Sequence, residues 1–291
     1  MLGVLGDLLE DIVVWLAEPL QQATDTDVEM HRTRGGSAAN VAMFAARHYP
    51  TRFIGCVGDD HVGTGVVADL AAHGVDVKVQ RRGSTGTVVV LVDEHGERTM
   101  LPHQAAGALL ADLDPSWLDG LAHLHVTAYS LTAEPVAGTA ADALATLRDR
   151  GATTSVDVSS TGLMRRYGRD AFRDRLADLR PNLLFANAEE AAFLDLTADG
   201  APGQGLAALP HTVVVVKDGS RPTTVLAPGA PPVRVDVPPV SGVRDLTGAG
   251  DAFAAGFLTA YLSRAGLPAA CAQGHACAAT VLAHPGATAD S

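Results

Sequence analysis

The chain has 291 residues, of which 47% are hydrophobic and 19% are charged. This composition excludes an intrinsically disordered chain and is sufficient for one large core with a small appended element. The formal net charge of −12 argues against a nucleic-acid-binding protein, because phosphate neutralisation requires a basic surface. No apolar run approaches the roughly 18 residues of a membrane span, and the first residues lack a basic leader, so we expect a cytoplasmic protein without membrane contact.

Short apolar runs rich in β-branched residues alternate with Ala- and Leu-rich runs along most of the chain. They predict strands at 52–57, 123–127, 153–158, 182–186 and 212–217, and helices at 62–73, 134–149, 170–179, 188–195, 249–265 and 268–284. Such alternation is typical of βαβ units. We therefore expect an α/β fold with a central, mostly parallel sheet that is covered by helices on both faces.

Two segments depart from this alternation and predict a small β-sheet lid. Residues from about 11 to 34 and from about 76 to 103 contain strand-like runs in which polar and apolar residues alternate. Alternation of this kind is typical of hairpins with one face in solvent. We expect a single domain over residues 1–291 with these two lid segments inserted.

Residues 245–257, with the sequence DLTGAGDAFAAGF, hold the most informative motif. A glycine-rich turn that runs into a helix presents unpaired N–H groups at the positive end of the helix dipole, which is an anion site. The expected anion hole consists of the backbone of Thr247, Gly248, Ala249 and Gly250. Asp251 would repel an anion there unless it acts as a base that takes a proton from a hydroxyl during phosphoryl transfer. The alternative is that Asp251 only caps the helix.

A second glycine pair opens a small-residue helix far upstream, in the segment GGSAANVA at 35–42. The two motifs together resemble the signature regions of the ribokinase-like (PfkB) family of sugar and nucleoside kinases. Further segments follow in the family's order: GDLLED at 6–11, NAEE at 187–190 and the Gly286-Ala287 pair. The resemblance spans essentially the whole chain. It implies a three-layer ribokinase-like fold with a lid, and an ATP-dependent phosphotransferase that phosphorylates a hydroxymethyl group of a sugar or sugar-like acceptor.

The resemblance implies that the acceptor binds near the N-terminal motifs. The expected acceptor-binding residues are Asp7, Asp11, Gly35, Gly36, Asn40 and Arg98. The Asp11 carboxylate would accept hydrogen bonds from a hydroxyl pair, with a solvated loop acid as the alternative. Arg98, on the second lid strand, would neutralise phosphoryl charge or serve as an edge-strand charge that prevents aggregation.

The resemblance also implies a nucleotide site in the C-terminal half. The expected nucleotide-binding residues are Asn187, Lys217, Gly219, Gly250 and Gly286. Asn187 and Glu190 lie three residues apart and share a helix face, and Glu190 would approach the Mg²⁺ of MgATP through water. Lys217 would lie near the nucleotide or simply at the surface. In the family, the backbone around the residue that matches Asp245 often holds a monovalent cation, so a K⁺ requirement is plausible here.

Other kinds of site do not fit the sequence. The chain has no Gly-x-x-x-x-Gly-Lys-Ser/Thr motif, which excludes a P-loop kinase, and Gly3 and Gly6 do not complete a dinucleotide-binding fingerprint. His123 and His125 alternate on one strand, but no further ligand with metal-site spacing lies nearby. We therefore interpret them as packed core residues.

Two other functions stay open. A nucleoside kinase is the alternative within the same chemistry, because GDLLED and GGSAAN look somewhat like segments of adenosine kinases, while residues 157–160, DVSS, replace the Asp-Pro-Asn segment of sugar kinases. A non-catalytic ligand-binding relative is the alternative of a different class, and the presence of Asp251 argues against it. The expected partners are ATP and a small sugar or nucleoside, and an edge of the lid could pair in a homodimer.

Overall fold

The structure, a computed structural model, describes residues 1–198, 201–243 and 246–282. Its strands are β1 (Leu2–Leu5), β2 (Leu9–Leu16), β3 (Val28–Gly35), β4 (Thr51–Val57), β5 (Asp76–Arg81), β6 (Thr87–Val92), β7 (Arg98–His103), β8 (His123–Thr127), β9 (Thr153–Asp157), β10 (Leu183–Asn187), β11 (Thr197–Ala198), β12 (Ala201–Pro202), β13 (Val213–Asp218), β14 (Arg221–Leu226) and β15 (Val233–Val235). Its α-helices are α1 (Ser37–Ala46), α2 (His61–Ala72), α3 (Val136–Asp149), α4 (Thr161–Tyr167), α5 (Arg169–Leu179), α6 (Ala188–Phe193), α7 (Ala249–Leu262) and α8 (Leu267–Leu282). Of the helices described, none combines the length and hydropathy that crossing a membrane requires.

Nine strands of the described chain form one large sheet in the order β15-β14-β13-β10-β9-β8-β1-β4-β5. The strands from β13 to β5 in that order run parallel to their neighbours. Only β14 and β15, at one edge, pair antiparallel. The mostly parallel sheet predicted from the alternation of strands and helices is therefore confirmed.

The side chains of the central strands alternate between two hydrophobic cores. On β10, Leu184 and Ala186 pack with residues of α3, α4, α5 and α6 on one face of the sheet. Leu183 and Phe185 of the same strand pack with residues of α1, α2, α7 and α8 on the other face. Because successive strand residues point to opposite faces, each strand contributes to both cores. This arrangement is the predicted three-layer fold.

The histidine pair of β8 belongs to the buried part of the large sheet. His123 hydrogen-bonds Thr153 and Ser155 of the adjacent strand β9, each at 2.7 Å, and His125 hydrogen-bonds Ser155 at 2.8 Å. Burial lowers the pKa of His123 to about 3 and that of His125 to about 4. Both rings are therefore neutral at physiological pH and act as packed polar groups.

A second sheet of four strands, in the order β3-β2-β6-β7 among the residues described, forms the lid. It consists of the antiparallel hairpins β2–β3 and β6–β7, which are joined by parallel pairing of β2 with β6. Arg34 of the lid donates hydrogen bonds to Asn40 of α1 and Asp69 of α2, two helices that cover one face of the large sheet. The outer strand β7 is exposed along its whole length.

The predicted lid segment 76–103 begins too early. Residues 76–81 form β5, which pairs with β4 at the edge of the large sheet. An edge strand has a neighbour on one side only, so its side chains are half-buried and its sequence, DVKVQR, alternates in polarity as a solvent-exposed hairpin does. The lid strands of this segment are β6 and β7 alone.

Candidate active site

The two glycine motifs of the sequence meet at the N-terminal ends of α1 and α7. The Ser37 hydroxyl donates a hydrogen bond to Asp251 Oδ1 at 2.7 Å. The Asn40 amide nitrogen donates to Asp251 Oδ2 at 2.9 Å. Both residues belong to α1, while Asp251 lies in the first turn of α7. The first turns of the two helices therefore face each other across a carboxylate, although more than half of the chain separates them.

The Asp251 carboxylate is half-buried at this junction. Burial raises its pKa to about 7, against the effect of the hydrogen bonds from Asn40 and Ser37, which lower it. Among charged neighbours, Asp157 raises the pKa further and Lys217 lowers it. A general base works best when its pKa is near the operating pH. The environment of Asp251 therefore suits a group that accepts and releases protons at neutral pH.

The turn before α7 carries the four residues of the predicted anion hole. Gly248 has φ of 76°, a left-handed conformation that side chains other than glycine disfavour. The Ala249 N–H donates to the Leu246 carbonyl at 3.3 Å, and the Ala252 N–H donates to the Gly248 carbonyl at 2.8 Å. Gly250, between them, contributes an N–H that is engaged in neither bond. Of the four predicted residues, Ala249 thus has its N–H already engaged within the turn, and the positive φ of Gly248 shapes the turn.

Asp7 holds the first turn of α1. Its carboxylate accepts hydrogen bonds from the N–H groups of Ser37 at 3.1 Å and Ala38 at 3.2 Å. Gly36 precedes the helix with φ of 105°, and a Cβ at this position would collide with the Asp7 carbonyl. Burial raises the pKa of Asp7, against these backbone hydrogen bonds. Asp7 thus fixes the helix that carries the Ser37 and Asn40 donors.

Asp11 lies on lid strand β2, close to the start of α1. A Cβ on Gly35 would overlap its carboxylate, so the two predicted residues are direct neighbours. Burial raises the pKa of Asp11 to about 6; the Asp7 charge raises it further, and the Arg34 charge lowers it. A carboxylate of this kind, partly accessible and beside the glycine pair, can accept hydrogen bonds from acceptor hydroxyls.

A second charged cluster lies where three parallel strands end. Lys217, at the end of β13, donates from Nζ to Asp157 Oδ2 of β9 at 2.8 Å. A Cβ on Gly250 would be 3.3 Å from the same Nζ, which places the ammonium group beside the anion turn. Burial opposes the charge of Lys217, but Asp157, Glu190 and Asp251 together keep its pKa above the ordinary value. Lys217 is therefore a buried cation, not a surface lysine.

Asn187 and Glu190 cap α6 reciprocally. The Asn187 side chain accepts from the Glu190 N–H at 2.9 Å, and Glu190 Oε2 accepts from the Asn187 N–H at 2.7 Å. This pair is a capping box. Burial and the Asp157 charge raise the pKa of Glu190 to about 7. The two residues are adjacent, as their spacing predicts, and part of their hydrogen-bonding capacity is used to begin the helix.

Arg98 lies along the lid from Asp11, and Gly219 lies in a turn next to Lys217. Arg98, on the exposed strand β7, is paired with Val92 of β6. Asp11 is paired with Val88 of β6, four residues before Val92 along that strand. Four strand residues correspond to about 13 Å. Gly219 lies in the exposed turn between β13 and β14. Of the remaining predicted residues, Asp245 and Gly286 lie outside the residues that the structure describes.

The structure also brings in residues that sequence reasoning did not select. They are Arg34, Ser37, Tyr129 and Asp157. Arg34 donates to Asn40 Oδ1 at 3.0 Å. Burial, together with the Asp7 and Asp251 charges, raises the pKa of Tyr129 to about 12. The positions of two of these residues in the sequence could have identified them as candidate site residues, because Tyr129 follows β8 and Asp157 ends β9. Ligands of open α/β sheets bind beyond the carboxyl ends of parallel strands.

A carboxylate with a raised pKa, held beside a glycine turn at a helix start and a mostly buried cation, is an arrangement that suits phosphoryl transfer to a hydroxyl. The fold and the site thus define a kinase that works without a P-loop. The chain belongs to the pfkB family of carbohydrate kinases, whose family model matches residues 4–291.

Relatives of known activity agree with this assignment. The chain is 33% identical to the ATP-dependent ribose-1-phosphate kinase of Halopiger xanaduensis, over 87% of this chain and 81% of that protein. It is 34% identical to a fructokinase of Klebsiella pneumoniae, over 91% of this chain and 85% of that protein. The crystal structure of adenosine kinase from Sinorhizobium meliloti shares the fold, with a TM-score of 0.84 and 24% identity over 98% of this chain and 94% of that one. The ribokinase-like fold is confirmed, and the protein is an ATP-dependent sugar or nucleoside kinase.

Proposed function

We propose that this kinase transfers the γ-phosphoryl group of ATP to a primary hydroxyl of a sugar, with Asp251 as the general base. The observation that carries the proposal is the position of Asp251. Its carboxylate lies half-buried in the first turn of α7 and is held there by two donors from α1. Similarity over most of the chain to a ribose-1-phosphate kinase and a fructokinase supports a sugar acceptor.

The charges of the site assign a role to each group. Asp251 accepts the hydroxyl proton as the acceptor oxygen forms its bond to the γ-phosphorus, while the bond from phosphorus to the ADP oxygen breaks. The Gly250 N–H and the Lys217 ammonium group stabilise the charge of the transferring phosphoryl group, because both are fixed before the reaction begins. Asp157 holds Lys217 in this position through the 2.8 Å ion pair.

Acceptor binding is assigned to the side of the site that faces the lid. Asp11 accepts hydrogen bonds from a hydroxyl pair of the sugar, and Gly35 leaves space for its carboxylate. Asn40 contacts Asp251 directly, so an acceptor hydroxyl that reaches the base also comes within reach of the Asn40 amide. This places the reacting hydroxyl between the first turns of α1 and α7.

Magnesium is the ordinary companion of ATP in such kinases, and the donor set here fits a water-mediated role for the protein. Within the described residues, no group of three or more His, Cys, Asp or Glu side chains could enclose a metal ion. Mg²⁺ usually keeps several waters and is bound by substrate phosphates with one or two carboxylates. Glu190 is the carboxylate that we assign to it. When bound, Mg²⁺ neutralises charge on the ATP phosphates.

Two finer points belong to the same proposal. The K⁺ requirement rests on Asp245 and Gly286, outside the described residues, and would appear as higher activity in KCl than in choline chloride at equal ionic strength. The homodimer rests on strand β7, whose Met100 and Leu101 are about half exposed at the edge of the lid. Exposed apolar edge strands are sites of strand pairing.

The test is phosphoryl transfer by the purified chain with MgATP and a panel of acceptors: D-fructose, D-ribose, ribose 1-phosphate and adenosine. We expect one sugar to be phosphorylated, and ³¹P NMR of the product to show phosphorus coupled to two protons, as in an ester of a primary alcohol. Asp251→Asn should lose the activity. Asp218→Asn, which changes a partly exposed carboxylate paired with Arg221, is the matched control and should keep it. Phosphorylation of adenosine alone would replace the sugar by the nucleoside alternative, and transfer to no acceptor would contradict the proposal.

A further inference from the structure

Arg34 lies where the lid meets the catalytic junction. It is the next-to-last residue of lid strand β3, and its side chain is only 5% exposed. Its guanidinium group donates to Asp69 Oδ2 of α2 at 2.9 Å and to Asn40 Oδ1 of α1 at 3.0 Å. A further contact joins Nη2 to Met43 Sδ at 3.0 Å. The guanidinium group is therefore fixed by groups from two helices.

The bond from Arg34 determines which way the Asn40 amide faces. An amide carries one acceptor oxygen and one donor nitrogen, whereas a guanidinium group only donates. Arg34 therefore binds Oδ1 of Asn40, and Nδ2 is turned toward Asp251 Oδ2, 2.9 Å away. If the amide rotated, its oxygen would face the carboxylate and the hydrogen bond to the base would be lost. The Ser37 hydroxyl cannot replace it, because that group binds the other carboxylate oxygen.

We propose that Arg34 is a positioning residue for Asp251, which acts through the orientation of the Asn40 amide and so links lid strand β3 to the base. The proposal rests on the proposed function of Asp251. Arg34 needs no contact with either substrate in this role. A displacement of β3 that withdraws Arg34 would release the Asn40 amide, so the donor to the base depends on the position of the lid strand.

The surroundings of Asp251 give the direction of the effect. The charged or titratable groups that act on it are Arg34 from the lid, Asp157 and Lys217 from the ends of central strands, and Tyr129 after β8. The pKa of Asp251 is about 7 with the Asn40 hydrogen bond in place. Loss of that bond disfavours the charged form, so the pKa should rise.

The experiment measures this pKa directly, without turnover. The protein is labelled with [γ-¹³C]aspartate, the Asp251 signal is identified by its absence in Asp251→Asn, and its shift is followed from pH 4 to pH 9. In Arg34→Met we expect the midpoint to rise by about one unit, the size of one lost hydrogen bond to a charged group. When Asn40→Ala is already present, adding Arg34→Met should raise the midpoint only by the smaller amount due to loss of the Arg34 charge. Arg32→Met changes an exposed arginine on the same strand and should leave the midpoint in place.

A second variant separates orientation from charge. Arg34→Lys keeps the positive charge but cannot bind Asn40 and Asp69 with one planar group, so its midpoint should also rise, by less than in Arg34→Met. If Arg34→Met does not fold, Arg34→Lys decides the question alone. An unchanged midpoint in a folded Arg34 variant would overturn the proposal. Absence of phosphoryl transfer by the unmodified protein would instead refute the proposed function, and the two failures are distinguishable because the titration needs no substrate.

Discussion

Helices α1 and α7 both begin after a glycine with positive φ, yet their first turns are completed differently. The φ values are 105° at Gly36 and 76° at Gly248. In α1, the Asp7 carboxylate accepts from the N–H groups of Ser37 and Ala38. In the described part of α7, no carboxylate accepts from the Ala249 or Gly250 N–H. A glycine turn before a helix is therefore expected to bind an external anion only where no carboxylate of the protein already accepts from the first N–H groups of that helix.

The Asp251 carboxylate of α7 is hydrogen-bonded to the opposite helix, α1. Asp251 lies in the first turn of α7 but accepts its hydrogen bonds from Ser37 and Asn40 of α1. The start of α1 thus provides two fixed donors, and the start of α7 carries Asp251 and the glycine turn to which the proposed function assigns the base and the anion site. The following predictions test the two helix starts, the acceptor side of the site and the lid.

The largest effect is expected at the start of α7. Asp251→Asn keeps the shape of the side chain and removes the base, so kcat should fall by about 10² or more, the usual scale for loss of a positioned base. Binding of ATP and acceptor should stay within a few-fold of the parent. The measurement is steady-state kinetics with both substrates varied. Equal kcat in the two proteins would remove Asp251 from the mechanism.

Asp11 separates the acceptor side from the nucleotide side. In Asp11→Ala, loss of a charge-assisted hydrogen bond to the acceptor should cost about 1.5–3 kcal/mol, which is about one to two decades in kcat/KM for the acceptor. KM for ATP should change little, because Lys217 and Glu190 lie in the other charged cluster. If ATP binding suffers more than acceptor binding, the two substrates have been assigned to the wrong sides.

The start of α1 should respond mainly in stability. Asp7→Ala removes the acceptor for two N–H groups of α1, and loss of a helix cap typically costs about 1 kcal/mol of unfolding free energy. Urea denaturation measures it. Asp60→Ala, which removes the cap of α2, is the matched control of similar cost. A fall in kcat beyond that of Asp60→Ala, measured where both variants are folded, would show that the Asp7 cap also supports the Ser37 and Asn40 donors to Asp251. An unchanged free energy of unfolding in Asp7→Ala would contradict the capping role.

The smallest and most local effect concerns the lid. Strand β7 is exposed throughout, so amide exchange over residues 87–103 should be faster than in the central sheet. It should slow when acceptor is added but not with ATP alone, because the acceptor fills the cleft under the lid. Exchange measured at two protein concentrations provides the control. Protection that rises with concentration and ignores the acceptor would indicate a dimer contact instead of a mobile lid.

The parts that sequence could predict are those determined by local pattern. Apolar runs such as 213–216 identified the central strands, and the glycine turn pointed to Asp251, which the structure brings against Ser37 and Asn40 of α1. Strands β14 and β15 were not predicted. Strand β15 is an edge strand, which need not be apolar on both faces, and its neighbour β14 begins with Arg221 and Pro222. The start of the second lid segment failed for the same reason, since β5 is an edge strand.

The remaining parts depend on contacts between distant segments. Arg34 reads as a charge on an exposed strand, and its function depends on Asp69 and Asn40, which a pattern along the chain does not connect with it. Sequence reasoning proposed Arg98 as the lid arginine, while the structure brings Arg34 to the base. Likewise, the pattern along the chain does not show that Asp7 accepts hydrogen bonds from the first turn of α1; its role as an acceptor ligand stays a prediction.

The central claim, that Asp251 is the base at the start of α7, is tested most directly by the pH dependence of kcat/KM for the acceptor. Burial raises the pKa of Asp251 from 3.8 to about 7, and a base must be deprotonated to act. We expect kcat/KM to be half-maximal near pH 7 and to fall about tenfold per unit below pH 6. A profile that stays flat from pH 5 to pH 8 would contradict the claim.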